Sequence, residues 1–306
     1  MELGMIGAGR MGGNMARCLL ARGHRVVVYD RDSAKMAAVA EDGAAGVTRI
    51  ADLRSALQVP RVIWLMLPAG EPTEAVLHEL AGGLAPGDLV VDGGNAFYKD
   101  SIRRANTLNA RGIHFVDAGI SGGVWGREMG YCLMLGGDEQ ACKMLEPLLA
   151  ALAPRDGYLR VGPSGAGHFA KMVHNGIEYG MLQAYAEGFA LLRHAPFQFD
   201  LAHVADLWSQ GSVVRSWLLE LAARVFQRDP DLSSTNGDVE DSGEGRWTVR
   251  EAVELGVPIP VIASALFSRF SSRGEDVFGH KLIALLRKEF GGHAVKPAES
   301  GVSQQT

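Results

Sequence analysis

The 306-residue chain contains only three cysteines, Cys18, Cys132 and Cys142, with no C-x-x-C pair and no histidine cluster at ligand spacing. That excludes a disulfide framework or zinc ribbon and marks the three as reduced packing residues. Aromatics are sparse at 7%, and no Lys/Arg-rich run is interleaved with them, so nothing would track a nucleic-acid backbone. No apolar run reaches the roughly 18 residues of a membrane span. The opening ELGMIGAG enters a strand pattern at once, with no basic segment ahead of an apolar one. The net charge of −5 is spread over interspersed signs. These absences predict a cytoplasmic protein whose partner is a small molecule, with no nucleic acid and no membrane.

Glycine, by contrast, is plentiful at 39 residues, and its clusters follow short apolar runs. The runs at 3–7, 25–30, 61–67, 88–94, 113–119, 131–135 and 158–162 read as strands. Helix-length segments such as 10–22, 72–81 and 138–152 lie between them. This alternation predicts an α/β, mostly parallel, doubly wound sheet of Rossmann type over residues 1–166. From residue 167 the periodicity is helical throughout. One helix of nearly thirty residues is followed by segments at 201–210, 215–226, 251–256, 260–272 and 281–290, so an all-α C-terminal domain is expected over 167–293. Residues 229–248, acidic and Ser/Gly-rich, read as a long loop, and 294–306 as a flexible tail.

Gly7-Ala8-Gly9-Arg10-Met11-Gly12 sits between the first strand and the first helix, where G-x-G-x-x-G binds a dinucleotide. The glycines serve the tight turn, the approach of pyrophosphate and close helix packing, and the helix N-terminus faces the phosphates. Asp30 ends the second strand near the offset of roughly 20 residues at which an acid meets the ribose hydroxyls. A carboxylate there favours NAD. Arg31 offers a contact for the extra phosphate of NADP, and Asp32 opposes it, so NAD is expected with NADP possible. Asn95 in DGGN, and Ser121, Gly122 and Gly123 in ISGG, lie at the carboxyl ends of strands and can hold a polar substrate.

The long helix carries Lys171, His174, Asn175 and Glu178 within a sector of about 100°, flanked by apolar residues and glycine. Periodicity alone also allows a solvated face. A buried stripe instead needs a polar cavity, because an unpartnered buried charge is costly. A desolvated lysine suits a base that takes a hydroxyl proton as hydride leaves, and a nearby carboxyl group suits a proton donor in a second step. Spacing alone does not assign these roles.

The motifs MIGAGRMGGNMARCLLARGHRVVVYDR, DGGN, DAGISGG and KMVHNGIEYG resemble the β-hydroxyacid dehydrogenase superfamily. KMVHNGIEYG, with DSGEGRWT (241–248) and FSR (267–269), resembles the decarboxylating 6-phosphogluconate dehydrogenases in their short bacterial form, over residues 1–293. The resemblance implies oxidative decarboxylation of 6-phosphogluconate to ribulose 5-phosphate and carbon dioxide. Lys171 would be the base and Glu178 the proton donor. Asn95, Ser121, Gly122, Gly123, His174 and Asn175 would bind the carboxylate and hydroxyls, and Tyr179, Arg269 and Arg287 the phosphate. Arg287 and His293 would match the tail residues that in the long form enter the active site of the partner subunit. It implies no metal, and a homo-oligomer built on a dimer of the helical domains. Ser242-Gly243-Glu244-Gly245-Arg246 departs from the long form's K-G-T-G-K, which contacts phosphate through its lysine and threonine, and Arg246 is the candidate replacement. A non-decarboxylating enzyme of the 3-hydroxyisobutyrate type, and a dinucleotide-binding sensor without catalysis, are the alternatives.

Overall fold

The computed structural model describes residues 1–235 and 237–273. Arg287, His293, the expected helix at 281–290 and the tail lie outside the described residues. The chain runs β1 (Glu2–Ile6), α1 (Arg10–Ala21), β2 (Arg25–Tyr29), α2 (Ser33–Ala40), β3 (Ala45–Gly46), α3 (Leu53–Ala56), β4 (Val62–Leu65), α4 (Glu71–Ala81), β5 (Leu89–Asp92) and α5 (Tyr98–Asn109). It continues through β6 (His114–Ser121), α6 (Gly126–Met129), β7 (Cys132–Gly137), α7 (Glu139–Met144), α8 (Glu146–Leu152) and β8 (Tyr158–Gly162). Helices α9 (Ala166–Arg193), α10 (Leu201–Ser209), α11 (Trp217–Arg228), α12 (Glu244–Leu255) and α13 (Pro260–Arg273) complete it.

The eight strands form one sheet in the order β3-β2-β1-β4-β5-β6-β7-β8. Every pair is parallel except β6 with β7. The central strands are buried on both faces, which explains their continuous apolar runs. One face packs Leu3, Val28, Trp64 and Val91 with Met15 and Leu19 of α1 and Leu148 and Leu152 of α8. The other packs Ile6, Ile63, Val90 and Phe115 with Leu77 and Leu80 of α4 and Leu108 of α5. Helices thus cover both sides, as the βα alternation requires.

Three expectations need correction. The segment 138–152 is two helices, because Leu145 ends α7 and α8 restarts with a proline in its first turn. The loop at 229–248 stops at Gly243: Glu244-Gly245-Arg246-Trp247-Thr248 are helical. Gly243 adopts φ +103°, a left-handed conformation open to glycine, and α12 begins directly after it. Cys132 is also exposed rather than packed, although all three cysteines are free.

Compactness divides the chain into Met1–Glu178 with Gly243–Ile259, and Tyr179–Ser242 with residues from Pro260 onward. The division falls within α9, and α12 belongs with the sheet. The second unit has its own core of Phe189, Ala205, Leu219, Ala223 and Phe226. Among the described residues no helix is long and apolar enough to cross a membrane.

The first turn of α9 is tied to the sheet through Asp117, which is fully buried in β6. Its Oδ1 accepts from the Gly165 N–H at 2.6 Å and its Oδ2 from the His168 N–H at 2.8 Å. The carboxylate therefore caps a helix that begins nearly fifty residues later. Burial pushes the Asp117 carboxyl pKa up, and His168 and the N–H donors pull against that rise. Asp117→Ala leaves two buried donors without an acceptor and is expected to cost roughly 2–5 kcal/mol. Chemical denaturation of the variant and the parent protein measures the loss.

Candidate active site

The β1–α1 turn fits a pyrophosphate. Gly7 has φ +97°, and a Cβ there would stand 2.4 Å from the Met66 carbonyl oxygen. A Cβ on Gly12 would stand 2.0 Å from the Gly7 carbonyl oxygen, so α1 approaches the strand as closely as glycine permits. Nothing lies within 4 Å of a Cβ built on Gly9, and no side chain caps α1 there, which leaves open space beside its first N–H groups. Ala8 is buried, Met11 packs against the core and Arg10 is exposed. Asp30 follows β2: its Oδ2 accepts from the Ala8 N–H at 2.7 Å and its Oδ1 from the Asp32 N–H at 2.8 Å. One carboxylate thus braces the glycine turn. Arg31 is exposed, and Asp32 caps α2 and pairs with Lys35.

The loop after β5 is held by charge. Asp92 accepts from the Gly94 N–H at 3.2 Å and from Nη1 of Arg104 at 2.7 Å, both side chains being almost fully buried. Nε and Nη2 of Arg104 bond the Glu74 carboxylate. Asn95 stands exposed at the tip of this loop.

Helix α9 passes close to β6 because Gly119 has no side chain. A Cβ there would lie 2.4 Å from Cβ of Lys171 and 2.7 Å from the Gly167 carbonyl oxygen. Gly136 and Gly167 permit the same approach: a Cβ on Gly136 would be 2.6 Å from the Gly167 nitrogen. Lys171 is half-buried by this packing, and burial lowers the pKa of its amine, while Glu178, Glu244 and Cys132 pull it upward. Ser121 Oγ and His174 Nε2 are 3.2 Å apart, and His174 Nδ1 and the buried Asn175 Oδ1 are 3.1 Å apart. Gly122 and Gly123 follow with positive φ at the end of β6. Ile177, of the apolar flank, is 52% exposed. The polar stripe therefore faces inward and part of the apolar face points out, the reverse of a solvated helix.

The structure thus brings Lys171, His174, Asn175, Glu178 and Ser121 to one place. In the helical unit, Arg269 lies over the ring of buried Tyr179, 3.4 Å from guanidinium carbon to centroid, and its Nη1 donates to the Glu240 carbonyl at 3.1 Å. Sequence reasoning missed Asp117, Gly119 and His168. It also took Glu244 for a loop residue, whereas the residue is buried at the start of α12. The aspartate in DAGISGG, polar within an otherwise apolar strand, was the one available signal.

Gly119→Ala forces α9 away from β6 at Lys171. It is expected to destabilise by about 1–3 kcal/mol and to lower kcat by about 10²-fold through a displacement near 1 Å. Thermal melts and single-turnover rates read the two effects separately.

Residues 2–162 match the family model of the NAD binding domain of 6-phosphogluconate dehydrogenase, and residues 167–295 that of its C-terminal domain. A Bacillus subtilis (strain 168) protein, named provisionally as a 6-phosphogluconate dehydrogenase, is 45% identical over 97% of this chain and 99% of its own. The NAD(+)-dependent, decarboxylating 6-phosphogluconate dehydrogenase of Haloferax volcanii is 44% identical over 96% of this chain and 98% of its own. The solved Plasmodium falciparum 6-phosphogluconate dehydrogenase, described with NADP+ and with 6-phosphogluconate, superposes with a TM-score of 0.82 at 28% identity. That match covers 98% of this chain and 67% of the other. On both domain models and on relatives matched almost end to end, the chain belongs to the 6-phosphogluconate dehydrogenase family.

Proposed function

We propose that the protein oxidises and decarboxylates 6-phosphogluconate to ribulose 5-phosphate and carbon dioxide. The observation that carries this reading is Lys171: a lysine desolvated against the sheet, with Glu178 and Glu244 acting on its amine. The Gly7–Gly12 turn and the α1 N-terminus fit a dinucleotide, which when bound accepts the hydride from carbon 3. Asp30 stands where a free ribose hydroxyl is bound and a 2′-phosphate repelled, which supports NAD.

Lys171 takes the proton of the carbon-3 hydroxyl. As ammonium it then polarises the new ketone, so that the electrons of the breaking carbon–carbon bond move to that oxygen as carbon dioxide departs. Lys171 returns its proton there to complete an enediol. Glu178 then protonates the carbon that lost the carboxylate while Lys171 takes the proton back from that oxygen, which becomes the ketone of the product. Asn95, Ser121, Gly122, Gly123, His174 and Asn175 orient the sugar acid, and the Ser121–His174–Asn175 hydrogen bonds hold the imidazole for that task. Tyr179 and Arg269 bind the phosphate end, the ring supporting the guanidinium from below. The 3-hydroxyisobutyrate-type alternative is disfavoured by the match to the C-terminal domain model. Exposed Ile177, Met181, Leu182 and Leu191 along α9 support a homodimer.

The parent enzyme is expected to release carbon dioxide and NADH in equal amounts from 6-phosphogluconate, with NADP a poorer acceptor, and Lys171→Ala to abolish both products. NADH without carbon dioxide sinks the reading. Since Lys171 works as a neutral base and its pKa lies below the ordinary 10.5, kcat/KM should rise with pH and level off before that value. Light scattering should give twice the 32.7 kDa chain mass.

A further inference from the structure

Glu244 is held against α9 from one side and by its own turn from the other. Gly243, in its left-handed conformation, places Glu244 as the first residue of α12. One turn on, the buried Thr248 hydroxyl lies 3.0 Å from the Met172 carbonyl oxygen and 2.8 Å from that of Glu244. The start of α12 is therefore stitched to α9 at the residue next to Lys171. Glu244 is 4% exposed, and among the described residues its Oε2 has no hydrogen-bond partner. A buried carboxylate oxygen left unbonded is costly, and it persists where a cation answers it. The charged and titratable groups that act on the Lys171 amine are Glu178 from its own helix, Glu244 from α12 and the Cys132 thiol from β7. Strand β6 offers Gly119, which has no side chain.

We propose that Glu244 is a positioning residue for Lys171, a second acid on a separate helix that holds the amine in place and retains the proton taken from the substrate hydroxyl until carbon dioxide has left. This rests on the catalytic reading above. The proton moves from the carbon-3 hydroxyl to Nζ, back to the same oxygen at the enediol stage, and to Nζ again as carbon is protonated and the ketone forms, and Glu244 neither gains nor loses one. Glu178 is left free to protonate carbon. A single acid would have to serve both as counter-ion and as donor, and the two duties fall at successive moments of one turnover.

The test is Glu244→Gln in the full chain, with Glu244→Asp as companion. The pH dependence of Lys171 acylation, read by peptide mass spectrometry without substrate, should shift about one unit lower in the Gln variant, as expected for loss of a neighbouring opposite charge. The Asp variant should retain part of the parent position. The acidic limb of kcat/KM for 6-phosphogluconate should move by the same amount, with kcat about tenfold lower. Acylation curves that coincide for parent and both variants overturn the proposal. So does a fall in KM for 6-phosphogluconate with the limb unmoved, since the carboxylate would then act on the substrate phosphate. The acylation curve needs no turnover, so it stands even if 6-phosphogluconate proves not to be the substrate.

Discussion

The buried carboxylate of Asp117 is the constraint on which the site depends. Its two oxygens close the first turn of α9 against β6, and the side-chain-free positions Gly119, Gly136 and Gly167 let helix and sheet meet at backbone distance. Lys171 follows one turn later, so its amine is desolvated by a contact that involves no catalytic group. Had α9 stood off the sheet by the thickness of a methyl group, the lysine would have kept its water and its ordinary basicity.

Charge is arranged around that amine in layers. Glu178 comes from the same helix and Glu244 from the start of α12, which Thr248 fastens to α9. Further out, Tyr98 donates to the buried Glu251 carboxylate at 2.7 Å and Lys99 pairs with it at 2.5 Å, joining α5 to α12. Arg104, Asp92 and Glu74 do the same for the loop that carries Asn95. Each buried acid in this set is answered by a cation or by backbone N–H groups, as the cost of burying charge requires. The exception is the Oε2 atom of Glu244, which is buried without a hydrogen-bond partner among the described residues.

Much of this was legible beforehand. The glycine turn, the strand runs and the four-residue polar stripe were read correctly because each is a local pattern, with a period set by backbone geometry. The period alone does not give the direction in which the stripe points, since 3.6 describes a solvated face and a cavity wall equally well; it was the cost of burying charge without a partner that pointed to a polar cavity. Burial of Asn175 and exposure of Ile177 distinguish the two. Asp117 escaped notice because its partners lie 48 and 51 residues away. The start of α12 escaped because an acidic, Ser/Gly-rich stretch looks like a loop until one glycine is seen to turn left-handed.

By itself, then, the sequence determined the elements and the types of group available: a parallel α/β sheet with a dinucleotide turn, a helical remainder, and a lysine and a glutamate one side of one helix. Tertiary structure decided what those groups are worth. Proton affinity depends on how much water and which charges surround an amine, and both are set by contacts between β6, β7, α9 and α12 that no local pattern encodes. For that reason Lys171 and Glu178 could be read along the chain, and the second acid acting on that amine, Glu244, only across the fold.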